Sequence, residues 1–125
     1  MFELTINGNV YRFNFGIGFV RAINKNRTRT VEGQTQEVGL QFAVASLIDE
    51  DPIELINILD LANKGESPRV TRALLDAYID DENTDLEALF KDVLDFFERR
   101  NATKKTTAAV KAMVEAEKAK AAKNQ

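Results

Sequence analysis

The dipeptide Asn7-Gly8 sits between two short alternating runs, with Phe2, Leu4 and Ile6 before it and Tyr11, Phe13 and Phe15 after it. Asn-Gly best tolerates the positive φ angles of a type I′ turn, and that turn sets the register of a hairpin. A two-residue loop pairs Leu4 with Tyr11 and Phe2 with Phe13, which puts all four side chains on one face. A lone two-stranded ribbon is not stable in water. Its apolar face must therefore pack on the rest of the chain, which reads as helices.

The first helix is expected over about Ile17 to Asn26, with Phe19, Val20, Ala22 and Ile23 on one side. Gly16 and Gly18 make the hinge into it. Arg21 stands where a dinucleotide fingerprint needs its third Gly, and no βαβ unit comes after it, so nucleotide binding is rejected. Residues 27–36 are polar and read as a loop, a contact or mobile segment if it is more than a connector. The second helix, Val38 to Ile48, has no charged residue. A helix apolar on every side must be surrounded, so it is either the central helix, the preferred reading, or turns one side to another subunit.

Punctuation is clearest for the third helix. Asp51 is placed to cap it, Pro52 fits its first position, Glu54 completes a capping-box spacing and Gly65 ends it. Leu55, Ile58, Leu59 and Ala62 share one face. Ile53 and Leu61 lie at its edges and are candidate partner contacts, against the alternative that they cover neighbouring loops. The fourth helix starts after Ser67-Pro68 or at Thr71 and ends near Asp80. The fifth opens with Thr84 as cap and Glu87 three residues on, and runs to about Arg100. Its apolar residues, Leu86 to Phe97, occupy an arc of about 160° at 100° per residue, a strong core stripe.

Residues 102–125 are rich in Ala, Lys and Glu, with high helix propensity. Only Val110, Met113 and Val114 offer sizeable apolar groups there. Three such residues are too few to hold the whole segment, so a projecting or frayed helix is expected, gaining order on a partner or serving as a solubilising tail. The expected fold class is mainly α with a small N-terminal β-hairpin (α+β), a compact bundle of about five helices plus a projecting C-terminal helix. The expected division is a globular part over 1–100 and a helical or partly disordered tail over 101–125.

The 125 residues include no Cys, His or Trp. Disulfides, thiolate zinc sites, cysteine nucleophiles and imidazole acid-base chemistry are thereby excluded. Asp81, Asn83 and Asp85 mimic the start of a calcium loop, but Leu86 occupies the position that needs Gly. No catalytic, cofactor or metal residue is assigned, and the protein is expected not to be an enzyme. The net charge of −3 divides into +2 over residues 1–48, −9 over 49–100 and +4 over 101–125. An acidic centre disfavours nucleic acid. No stretch approaches the length of a bilayer span, and Met1 to Phe15 lacks the pattern of a signal peptide, so the cytoplasm is the default compartment.

Three segments carry a family resemblance: FNFGIGFVRAINK, which begins at Phe13, EVGLQFAVASLIDEDPIELINILDLANKG at 37–65, and LLDAYIDDENTDLEALFKDVLDFF at 74–97. With the Lys- and Ala-rich end, they resemble the tail assembly chaperones of long-tailed, non-contractile phages (siphophages) of Gram-positive bacteria. The resemblance covers almost the whole chain and lies in the order and spacing of structural patterns. It implies a small helical protein without catalysis, made in the host cell cytoplasm and absent from the mature virion. The implied partners are the tape measure protein and, through a longer frameshifted form, the tail tube protein. The family supplies no residue-level site. From the residues themselves, Ile53, Leu61, Val110, Met113 and Val114 are the candidate protein contacts. Self-association stays open, as does a different role as an adaptor for another helical protein.

Overall fold

In the computed structural model, which describes residues 1–123, strands β1 (Phe2–Ile6) and β2 (Asn9–Phe13) pair antiparallel around Asn7 and Gly8. Asn124 and Gln125, the end of the expected tail, lie outside the described residues. Asn7 and Gly8 have φ of 52° and 82°, as a type I′ turn requires. Phe2 faces Phe13 and Leu4 faces Tyr11, the register that the turn dictates. Phe2, Tyr11 and Phe13 are buried against the helices.

Helix α1 (Ile17–Asn24) leads into a second hairpin, β3 (Thr28–Val31) with β4 (Gln34–Glu37). Residues 27–36 are thus not the loop that their polarity suggests. Glu32 and Gly33 take φ of 51° and 79° at the turn, and all eight strand residues are exposed. With neither face buried, the ribbon carries no apolar alternation for a sequence reading to detect.

The helices α2 (Gly39–Ile48), α3 (Pro52–Asn63), α4 (Arg72–Asp80), α5 (Leu86–Arg99) and α6 (Lys104–Lys123) complete the chain, a mainly helical α+β fold. Charge-free α2 is the central helix, touching α1, α3, α5 and α6. Its end is a Schellman motif. The Asp51 amide bonds to the Ser46 carbonyl and the Glu50 amide to Leu47, with Glu50 in the left-handed region at φ 57°. Asp51 then turns to cap α3, its Oδ1 accepting from the amides of Ile53 and Glu54. The Glu54 side chain does not complete the box. Its Oε1 accepts from Asn57 instead, because the Asp51 amide is already taken by α2.

The cap of α5 lies one residue later than expected. Asp85 accepts from the Ala88 amide, while the Thr84 hydroxyl donates to the Tyr78 carbonyl and closes the turn behind α4. At the other end of α5, Arg100 donates to Asn14 Oδ1 at 2.9 Å, the same oxygen that accepts from the Gly16 amide. This ties the first hairpin's exit to the C-terminus of α5.

Phenylalanines from the first hairpin, α1 and α5 form the centre of the core. Phe15 is its hub, with ring centroids 5.8 Å from Phe2, 5.3 Å from Phe19, 6.4 Å from Phe96 and 5.0 Å from Phe97. Most of these pairs are edge-on, the arrangement that aromatic quadrupoles favour.

A buried polar joint seals the base of α3. Asn63 is fully buried, donates to the carbonyls of Arg12 and Pro68, and accepts from the Val70 amide and Arg69. Asn63→Asp removes both donors and turns a carboxylate toward two carbonyls. It is expected to cost about 2–4 kcal/mol at neutral pH, read from the urea midpoint. Protonation restores one donor, so the deficit should shrink as the pH is lowered.

Candidate partner-binding surface

Helix α6 is docked over its first half and projects over its second. From Glu115 to Lys123 every residue is exposed. The first half is held more firmly than its few large apolar residues suggest, and the difference lies in two threonines. Thr103 and Thr107 are fully buried. The Thr103 hydroxyl donates to the Phe97 carbonyl at 2.7 Å, and that of Thr107 donates to the Thr103 carbonyl at 2.8 Å. Their hydroxyls are satisfied by backbone, so their methyl groups can enter the core without an unpaired polar atom. Val110 is buried one turn further on, and Lys111 pairs with Glu98 across to α5. That contact and burial of its stem act oppositely on the Lys111 ammonium. The hydrogen bond to Glu98 dominates and raises its pKa.

Because α6 lies on α2 with slim residues, it leaves hollows on both flanks. The larger has a volume of roughly 680 Å³ and runs between α6 and the β3–β4 hairpin. Its floor is α2, with Val38, Phe42 and Ala45, and its wall is α6, with Ala109, Met113 and Val114. Arg29 stands on the hairpin side, and Lys105 and Glu117 lie along α6. The Arg27 guanidinium sits 3.5 Å from the centroid of the Phe42 ring, fixing that ring by a cation–π contact. The smaller hollow, roughly 310 Å³, lies between α6 and the α2–α5 pair, with Ile48, Leu94 and Val114 at its base.

The structure brings Val110, Met113 and Val114 together in the larger groove. Val110 is buried at the foot of the α6 wall, Val114 is half-buried, and Met113 is 62% exposed on the same wall. Ile53 and Leu61 do not line it. Ile53 is 74% exposed at the start of α3, and Leu61 packs at the margin of the core. The hairpin side escapes a sequence reading because it has the composition of a loop. The α2 floor is the spare apolar side of a helix expected to be surrounded by its own domain or by a partner.

Glu54 is the one buried carboxylate among the described residues. Burial raises its pKa above the ordinary 4.5, and the hydrogen bond from Asn57 and the charge of Arg27 offset only part of that. The charge of Asp51 pushes the same way as burial. A carboxyl that holds its proton more tightly when folded favours folding at low pH, and that contribution is lost as pH rises through the folded value. Glu54→Gln keeps the acceptor for Asn57 and removes the buried charge. It is expected to raise the melting temperature at pH 7, with the gain vanishing below about pH 4. Among the described residues, no group of three or more His, Cys, Asp or Glu is placed to hold a metal ion. Among the same residues, no helix is long and apolar enough to cross a membrane.

The family model described as phage tail assembly chaperone protein, TAC, matches residues 3–111. That span runs from the first hairpin into the docked half of α6. No curated protein and no solved structure matches the chain.

Proposed function

The chain belongs to the phage tail assembly chaperone family, and we propose that its client is the tape measure protein, which it keeps soluble until tail tube subunits enclose it. The observation that carries this reading is the family match over most of the chain, joined to an open apolar groove with no polar catalytic set in it. A tape measure protein presents long amphipathic helices before the tube covers them. A reversible cover for such a surface needs many modest apolar contacts. Many copies along one client add avidity while each single site stays weak enough to be displaced.

On this reading the protein works in the host cytoplasm during the assembly of a siphophage tail, and is left outside the finished particle. Recruitment of tube subunits would fall to a longer form made by frameshifting, with the domain described here holding the client.

Co-expression with the tape measure protein of the same phage tests this. The tape measure protein should move from the insoluble to the soluble fraction and co-purify with the chain. Equal insolubility with and without the chain overturns the reading and leaves the adaptor role for another helical protein.

A further inference from the structure

The groove between α6 and the β3–β4 hairpin has a shape and a charge that specify its occupant. Building on the chaperone role proposed above, we propose that it seats one amphipathic helix of the client, laid along α6, with acidic residues beside its apolar stripe facing Arg29 and Lys105. From Lys105 to Glu117 the α6 wall is about 18 Å long at the rise of an α-helix. That length matches three to four anchors at i, i+4, i+7 and i+11 on an incoming helix. Met113, exposed at mid-wall, can adapt its rotamer to whichever apolar side chain arrives.

A helix fits better than an extended segment. The floor and the long wall are both helices whose backbone groups are already bonded within α2 and α6, so an incoming strand would find a ladder only at an edge of the β3–β4 ribbon, which buries no apolar side chain. A helix satisfies its own backbone and presents only side chains.

The charge favours an acid-flanked client helix over the free half of α6 from a second copy of this chain. Arg29 and Lys105 are two exposed cations on the rim, against one acid, Glu117. The free half of α6 in another copy carries Lys118, Lys120 and Lys123 against Glu115 and Glu117, and beyond Val114 its apolar residues are all Ala. It brings a net positive charge and no large anchor. An acid-flanked stripe of Leu, Ile or Phe brings both complements.

Fluorescently labelled peptides that tile the tape measure protein, titrated with the full chain, provide the test. The peptides that bind should become helical in circular dichroism and carry the i, i+4, i+7 stripe with adjacent Asp or Glu. Met113→Asp should weaken them about tenfold or more. The double variant Arg29→Glu with Lys105→Glu should weaken them several-fold and flatten the salt dependence. Ile17→Asp, at the exposed start of α1 and outside the groove, should bind as the parent does. All these positions are exposed, and matching melting curves verify that the variants fold. If Met113→Asp binds as the parent does, or the bound peptide stays extended, the groove is not the seat of a helix. In that case the intact tape measure protein would still be retained by the parent chain. If the parent chain retains neither peptides nor the intact protein, the chaperone role itself fails.

Discussion

Gly39→Ala is expected to destabilise the fold by about 3 kcal/mol or more, against the usual gain from replacing a helical glycine. A Cβ at Gly39 would stand 1.7 Å from the Ile23 carbonyl oxygen and 2.5 Å from its carbon. These are backbone atoms of α1, so no rotamer change relieves the overlap, and the two helices must separate. Separation also breaks the bond from the Leu40 amide to Asn24 Oδ1 at 2.9 Å. That bond matters because Val38, at the cap position of α2, has no side-chain acceptor of its own. Gly18→Ala is the matched control. Its added Cβ meets nothing within 4 Å, so the ordinary helix preference should prevail and stability should rise by up to about 1 kcal/mol. Opposite signs for two Gly→Ala changes, read from urea midpoints, isolate the close approach of α1 to α2.

Phe15→Ala should lose about 4 kcal/mol. The ring is 1% exposed and contacts Phe2, Phe19, Phe96 and Phe97. Truncation therefore leaves a cavity that the hairpin, α1 and α5 all border, and none of them can close it alone. It also forfeits edge-on aromatic contacts that add about 0.5–1.5 kcal/mol each beyond their buried area. A domain of this size has a total stability of about 5–15 kcal/mol, so the variant should unfold at markedly lower urea. Phe15→Leu, which refills most of the volume, should recover more than half of the loss. A loss under about 1 kcal/mol for Phe15→Ala would mean that the core does not centre on this ring.

The two hairpins show what makes a strand legible. Asn7-Gly8 is read easily because turn chemistry and apolar alternation point to one register. The second ribbon has the same kind of turn at Glu32-Gly33, yet Thr28, Thr30, Thr35 and Gln36 are all exposed. Periodicity reports burial, and a ribbon that buries nothing has none to report. The helices α3 to α5 are legible through their caps and apolar faces, and α2 through its lack of any charged residue. Even there, the cap at Asp85 in place of Thr84 is decided by a tertiary bond from Thr84 to Tyr78.

The candidate site is legible in fragments. Val110, Met113 and Val114 stand out as the apolar residues of a polar segment, and they do line one groove. The rest of that groove comes from β3 and α2, far earlier in the chain, and no local pattern announces such a meeting. The anchoring of α6 escapes for a different reason. Thr103 and Thr107 look polar in sequence, and become core residues only because backbone carbonyls accept their hydroxyl protons. Asn63 likewise reads as a helix-ending residue, and its four bonds exist only in the folded chain.

Light scattering from purified tape measure protein, diluted out of denaturant into buffer with increasing amounts of this chain, bears most directly on the chaperone claim. Scattering should fall as the chain is added and level off only at several chains per client, as multivalent coating requires. Scattering no lower than with an equal mass of an unrelated soluble protein would contradict it.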